Sequence, residues 1–237
     1  MEKKQNLILP IAIVIAGIIM AGTIYYTSTK TKSFPANPAA TGDVISEKQE
    51  IKGPKEITGN DHILGSPDAP LTFVVFTDLE CPWCKKFNET VLQMAEEYGK
   101  KGEVMIVFRH FPIDELHKKS KKEAEASECA ADLGGNEKFW QYVNRVFEIT
   151  PSNDELDPAE LPKIAEYIGL DKTKFTECLN SGKFAGKVQE NLDDAIASGG
   201  QGTPYFIIIN KNGEKFPFNG YLPFQQLKII LDQLLTK

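Results

Sequence analysis

The chain has 237 residues, 41% of them hydrophobic and 25% charged, enough to bury one good-sized core beside an N-terminal segment. A formal net charge of -6, with no Lys/Arg patch interleaved with aromatics, argues against a nucleic-acid role. Four cysteines, an even number, permit two disulfides and suggest an oxidising compartment.

From the N-terminus, residues 7–26 form an uncharged stretch of about 20 positions, long enough to cross a membrane's hydrocarbon core as a helix. Lys3 and Lys4 precede it and favour a cytoplasmic N-terminus with the rest of the chain outside, although Lys30 and Lys32 weaken the asymmetry. The run continues to the aromatic pair Tyr25-Tyr26, which suits an anchor better than a cleaved signal peptide; the small residues Ala21 and Gly22 keep the second reading open. Ser, Thr, Lys, Pro, Gly and Asn then dominate up to about Lys55, the composition of a flexible tether. The expected organisation is therefore a cytoplasmic stub and transmembrane anchor over 1–29, a linker over 30–56 and a globular domain over 57–237.

Within that domain, an extended piece and turn over residues 61–70 lead into Leu71-Thr72-Phe73-Val74-Val75-Phe76, a run of β-branched and aromatic residues typical of a strand buried on both faces. Phe87, Val91, Leu92, Met94, Ala95 and Tyr98 then recur at helical spacing, and Pro82 suits a first helical turn. Between these patterns lies Glu80-Cys81-Pro82-Trp83-Cys84. Two cysteines where a strand ends and a helix begins meet unpaired backbone N–H groups and the positive end of the helix dipole, so the Cys81 thiolate is stabilised. Cys84, one turn further in, is placed to attack a mixed disulfide on Cys81, which is thiol–disulfide exchange chemistry. The alternatives are half a zinc site or two ordinary buried cysteines. Zinc wants four ligands, and Cys129 and Cys178 are far apart with no nearby His to complete a knuckle, so no metal is expected.

Val104 to Phe108 predicts a second buried strand, parallel to the first because a helix connects them. A long helical region follows, about 113–198, with amphipathic segments over 120–133, 137–147, 161–168, 172–181 and 184–197 that bury one face each; Phe139, Trp140 and Phe147 are expected in the core. His62, His110 and His117 are scattered and are expected to be structural or solvated rather than ligands, and Lys118 to Lys122 reads as a wet helix face. Gly202-Thr203-Pro204 resets the chain into a third strand, Tyr205 to Ile209, followed by an Asn-Gly hairpin signal at Asn212-Gly213 and a final amphipathic helix carrying Leu227, Ile230, Leu231 and Leu234. The pattern is an α/β sheet split by a helical insertion.

The Cys81-Pro82-Trp83-Cys84 motif at a strand-to-helix turn, the helical insertion and the late Thr203-Pro204 heading a strand together resemble the thioredoxin superfamily, specifically the DsbA-like thiol–disulfide oxidoreductases of bacterial cell envelopes. Phe76-Thr77-Asp78, Arg109-His110-Phe111-Pro112 and Cys129-Ala130-Ala131 are similar to stretches common in that family. The resemblance implies a thioredoxin fold with an inserted helical subdomain. It implies that Cys81 is the exposed nucleophile and Cys84 the buried resolving thiol, that Pro204 is a cis-proline beside them, and that the Thr203 backbone binds an extended client. It further implies thiol- or disulfide-bearing client proteins, a membrane redox partner of DsbB or VKOR type, and no cofactor beyond the cysteines. Two departures stand out. Pro82-Trp83 replaces the Pro-His of the best-known oxidases, and Trp83 brings no positive charge to Cys81, which predicts a less oxidising pair. Many relatives carry a buried acid six positions before the first cysteine as proton acceptor; here that residue is Val75. Asp78 and Glu80 are possible substitutes, with surface solubility an equal explanation for either. Cys129 and Cys178, on the outer side of a membrane, are candidates for a structural disulfide closing a loop of about 50 residues; two buried free thiols are the alternative.

Overall fold

The computed structural model of the chain describes residues 51–236. The apolar stretch at 7–26 and most of the tether lie outside them, and among the described residues no helix is long and apolar enough to cross a membrane.

A five-stranded mixed sheet organises the domain. Its strands are β1 (His62–Leu64), β2 (Leu71–Thr77), β3 (Val104–His110), β4 (Tyr205–Asn210) and β5 (Lys215–Asn219), in the order β1-β3-β2-β4-β5. β2 and β3 pair in parallel, from Leu71 opposite Val104 to Thr77 opposite His110. The connection between them is the helix α1 (Pro82–Met94) and a wider π-type turn over Ala95–Gly99, enough chain for a parallel crossover. β4 runs antiparallel to β2, placing Tyr205 opposite Phe76, and β5 returns from β4 by the expected Asn-Gly turn, with Gly213 at φ 76°. Pro217 is tolerated because β5 is an edge strand.

The period-two alternation of the strands sorts the core into two layers. Phe73, Val75, Ile106, Phe108, Phe206 and Ile208 face the layer built with α1, the insertion and the last helix. Val74, Phe76, Val107, Tyr205 and Ile207 face the opposite layer with Phe111 and Ala195. β2 and β3 are therefore buried on both faces, which is why their sequences read as near-continuous apolar runs.

Between β3 and β4 lie α2 (Ser120–Ile149), a 3-10 turn over Pro158–Glu160, α3 (Leu161–Tyr167), α4 (Lys172–Ser181) and α5 (Ala185–Ala197); α6 (Phe224–Leu235) closes the chain. The two segments expected over 120–147 form one helical run, broken only at Gly135, whose φ of 74° and ψ of -171° no side-chain-bearing residue adopts easily. Cys129 of α2 and Cys178 of α4 are joined by a disulfide. Phe139, Trp140 and Phe147 are buried in the core.

Buried charges fasten the insertion to the sheet. Arg109 on β3 donates to Asp61 at 2.8 Å and to Asp194 of α5 at 2.6 Å. Glu128 of α2 bonds His62 at 2.9 Å, His110 at 3.1 Å and Lys187 at 2.7 Å. The three histidines are all buried, so solvation does not account for any of them. The Lys118–Lys122 stretch is also less wet than its composition suggests: Ser120 is buried, and the Lys119 ammonium reaches the Asp154 and Leu156 carbonyls.

Candidate active site

Cys81 occupies the N-cap of α1, with extended backbone at φ -78° and ψ 122°, and Pro82 follows in the first turn, where its missing N–H costs nothing. No side chain caps this end of the helix, so the Cys81 sulfur is the group left to meet its N–H donors. The Cys81 thiol is pushed down to about 6 from an ordinary 9.0. The Cys84 S–H that donates to it is the largest cause; burial opposes the shift, while the Thr203 side chain and the backbone N–H groups of Cys84 and Trp83 assist it. Cys84 moves the other way, well above its ordinary value, because it is buried and faces the Cys81 sulfur and its charge. Adjacent sulfurs of one motif are thereby split into a ready thiolate and a reluctant thiol.

Thr203 lies beside both sulfurs. The Cys81 thiol donates to the Thr203 carbonyl at 3.5 Å, and the Thr203–Pro204 peptide is cis. The Thr203 hydroxyl is buried without a hydrogen-bond partner, and the Thr203 side chain lowers the pKa of both cysteines, available to donate to their charged forms. The sequence pointed to the Thr203 backbone; its hydroxyl is an addition that the residue type alone, an ordinary strand-former, does not announce.

The nucleophile position is more covered than expected. Cys81 is only 5% exposed and Cys84 2%, whereas Trp83 is 57% exposed. The Trp83 ring lies 6.0 Å from that of Tyr221, and the Lys86 ammonium stands over the Tyr221 ring at 5.0 Å. An aromatic and cationic rim thus borders the sulfurs, built from α1 and the segment after β5.

Asp78 and Glu80 are not surface carboxylates. Asp78 is 1% exposed and Glu80 fully buried. Apart from the Glu80 N–H, their hydrogen-bond partners come from residues 35 to 74 positions away in the chain, which is why local composition could not separate the two explanations. Asp78 accepts from the backbone N–H of Glu80 and of Ile113, from the Ser120 hydroxyl and from His117 Nδ1. Glu80 accepts from the backbone N–H of Asp154 at 2.8 Å and lies against the Glu123 carboxyl. His117 and Glu123 were missed in the sequence; the only available signal was their place in the first turns after Phe111-Pro112. Val75, six positions before Cys81, is an apolar core residue. Among the described residues no group of three or more His, Cys, Asp or Glu is arranged to hold a metal.

A family model described as thioredoxin matches residues 57–233. Among curated proteins, the Na(+)/H(+) antiporter NhaA 3 of Salinispora tropica is 34% identical over 161 residues, 67% of this chain and 23% of that protein. The antiporter NhaA 1 of Mycolicibacterium gilvum is 31% identical over 153 residues, 64% and 24% of the two chains. The chain spans about a quarter of the length of these relatives. Among solved structures, α-DsbA1 of Wolbachia pipientis is 25% identical with a TM-score of 0.64, covering 76% of this chain and 93% of its own. Oxidised BdbD of Bacillus subtilis is 25% identical with a TM-score of 0.65, covering 75% and 94%. The sheet, the helical insertion and the paired sulfurs at the head of α1 agree with that match, and the chain belongs to the thioredoxin family, as an oxidoreductase of DsbA-like architecture.

Proposed function

We propose that the chain is an extracytoplasmic protein thiol–disulfide oxidoreductase that donates disulfides to folding envelope or secreted proteins through Cys81 and Cys84. The observation that carries this reading is the opposite displacement of the two thiols, Cys81 down to about 6 and Cys84 upward. A thiolate that is stable at neutral pH stabilises the reduced pair, and so makes its disulfide a better oxidant.

In the donating cycle a client thiolate attacks the Cys81 sulfur of the Cys81–Cys84 disulfide. The bond between the two cysteines breaks, its electron pair goes to the Cys84 sulfur, and that sulfur takes up a proton. A second client thiolate then attacks the client sulfur of the mixed disulfide. Cys81 leaves as the thiolate, the better leaving group for its low pKa. The client gains one disulfide, and the protein gains the two electrons. A membrane redox partner of DsbB or VKOR type would take those electrons away.

Two features support the location. The Cys129–Cys178 disulfide suits an oxidising compartment, and residues 7–26 have the length and apolarity of an anchor with a tether behind it. The whole-protein activity of the NhaA relatives is not part of this reading, because the match covers so little of their length.

Equilibration of the soluble domain with glutathione buffers, counting Cys81 and Cys84 apart from Cys129 and Cys178, tests the direction. A reduction potential near roughly -120 mV makes disulfide donation favourable, and one near roughly -270 mV overturns it in favour of a reductant.

A further inference from the structure

Trp83 leaves the motif with no cation of its own, yet the residues behind it supply one. Asp78, at the end of β2, is the pivot. Oδ1 accepts from Glu80 N at 2.9 Å and Ser120 Oγ at 2.6 Å; Oδ2 accepts from Ile113 N at 2.8 Å and His117 Nδ1 at 2.9 Å. A carboxylate with four donors around it acts as an acceptor only, so His117 Nδ1 carries a proton and the ring is held in one orientation. The Asp78 carbonyl in turn accepts from Cys81 N at 3.2 Å. Imidazole, carboxylate and the Cys81 backbone thus form one short chain of contacts, buried behind the strand-to-helix turn.

We infer that His117 is a positioning residue for the Cys81 thiolate: oriented by Asp78, its imidazolium supplies behind the turn the positive charge that Pro82-Trp83 lacks in front of it, and so strengthens Cys81 as a leaving group. This deepens the redox reading above and rests on it. Burial alone would discharge the ring, but the Asp78 bond and charge, the Cys81 charge and the Asp154 charge together hold its pKa above the ordinary 6.5. The charged groups that act on the ring are therefore Asp78 and Cys81 from the turn and Asp154 from the loop after α2; Glu80 and Glu123 interact with each other. The direct Cys84 S–H bond remains the larger influence on Cys81, so the imidazolium contributes a few-fold rather than the whole effect.

Reciprocity provides a test that needs no change at His117. If the imidazolium favours the thiolate, the thiolate must favour the imidazolium by the same factor. NMR titration of the His117 ring in the reduced protein and in Cys81→Ser is expected to show a pKa lower in the variant by about half a unit, a threefold coupling. The second arm is the thiolate absorbance of Cys81 against pH in His117→Asn, whose side-chain N–H keeps the Asp78 bond but carries no charge. An upward shift of the curve by about half a unit is expected, roughly halving the thiolate at pH 6, whereas a residue that only braces the loop would leave the curve unmoved. Identical ring titration in the two proteins overturns the inference, and so does an unmoved thiolate curve in a folded His117→Asn; should that variant not fold, the ring titration decides alone. A reducing potential from the glutathione equilibration, with the coupling intact, would sink the donor reading and leave the His117 assignment standing.

Discussion

The Glu80 carboxyl, one residue before Cys81, lies against the Glu123 carboxyl from the first turn of α2, and Glu123 is the one held protonated. Both are buried; Glu80 Oε1 and Glu123 Oε2 have no other partner. Burial first, then the hydrogen bond to Glu80 and its charge, with Asp78 and Asp154 adding to them, push Glu123 up to about 10 from an ordinary 4.5. Two adjacent buried carboxyls cannot both ionise cheaply.

That arrangement fixes the sign of a pH dependence. The folded chain keeps a proton that the unfolded chain releases above about 4.5, so stability contributed by the pair is complete below that value and is lost progressively as pH rises toward about 10. Glu123→Gln replaces the proton held on Glu123 with a permanent N–H donor. Urea midpoints between pH 5 and 9 are expected to fall with pH in the parent and to flatten in the variant, which at pH 9 gains on the order of 1 kcal/mol. A parent flat over this range would contradict the proton held on Glu123.

The Glu128 cluster acts in the opposite sense. Burial opposes the shift, but the His110 and His62 bonds and charges hold Glu128 well below the usual carboxylate range, while burial keeps His62 below its ordinary 6.5. Both folded-state values are depressed, so their stabilising contribution is present at neutral pH and is lost as pH falls, through His62 first and Glu128 later. Glu128→Ala leaves His62, His110 and the Lys187 ammonium without their shared acceptor and is expected to cost about 3 kcal/mol at pH 7. Thermal melts of both proteins from pH 4 to 8 would show it; equal midpoints at pH 7 would rule it out.

Cys129→Ser with Cys178→Ser removes a cross-link between residues 49 positions apart. Guanidinium unfolding should lose about 3–4 kcal/mol, with Cys81 titrating as before because the bond lies within the insertion. A changed Cys81 titration would mean that the insertion also tunes the motif through that bond.

Trp83→His adds a cation in front of the sulfur. The glutathione equilibrium should shift toward a more oxidising pair by about 30 mV, a tenfold change. An unchanged potential would mean that the charge behind the turn already saturates the effect.

Thr203→Val removes the buried hydroxyl beside the sulfurs while keeping the β-branched shape. Thiolate absorbance should then place the Cys81 pKa above its present value of about 6, by about half a unit. A value at or below the parent's would remove the hydroxyl from the account of the site.

What the sequence made legible was whatever repeats locally. The apolar run of β2, the helical spacing after Cys81, the Asn212-Gly213 turn and the reset before Tyr205 each carry their structure in adjacent residues. Asp78 and Glu80 do not. Their burial depends on Ile113, His117, Ser120, Glu123 and Asp154, which folding brings from the insertion, and a carboxylate at a turn looks the same whether it meets water or four donors. His117 was unreadable for the same reason: a lone histidine among lysines acquires a role only when Asp78 is beside it. The break at Gly134-Gly135 was legible for the opposite reason: glycine marks in the sequence the place where the backbone kinks and divides Ser120–Ile149 into two helical segments.

Ser152, Asn153 and Asp154 all hold left-handed backbone, with φ of 69°, 56° and 65°, and two of them grip Glu80: Asn153 N donates to its carbonyl at 2.9 Å and Asp154 N to its carboxylate. Three such residues in succession are strained for side chains other than glycine, so the grip opposes an intrinsic tendency of this loop to relax. The turn that carries Cys81 and the helical insertion are therefore tied together at Glu80, so a displacement of either is opposed by the other. The position of the nucleophile is thus set partly from the far end of α2, by residues more than 70 positions along the chain.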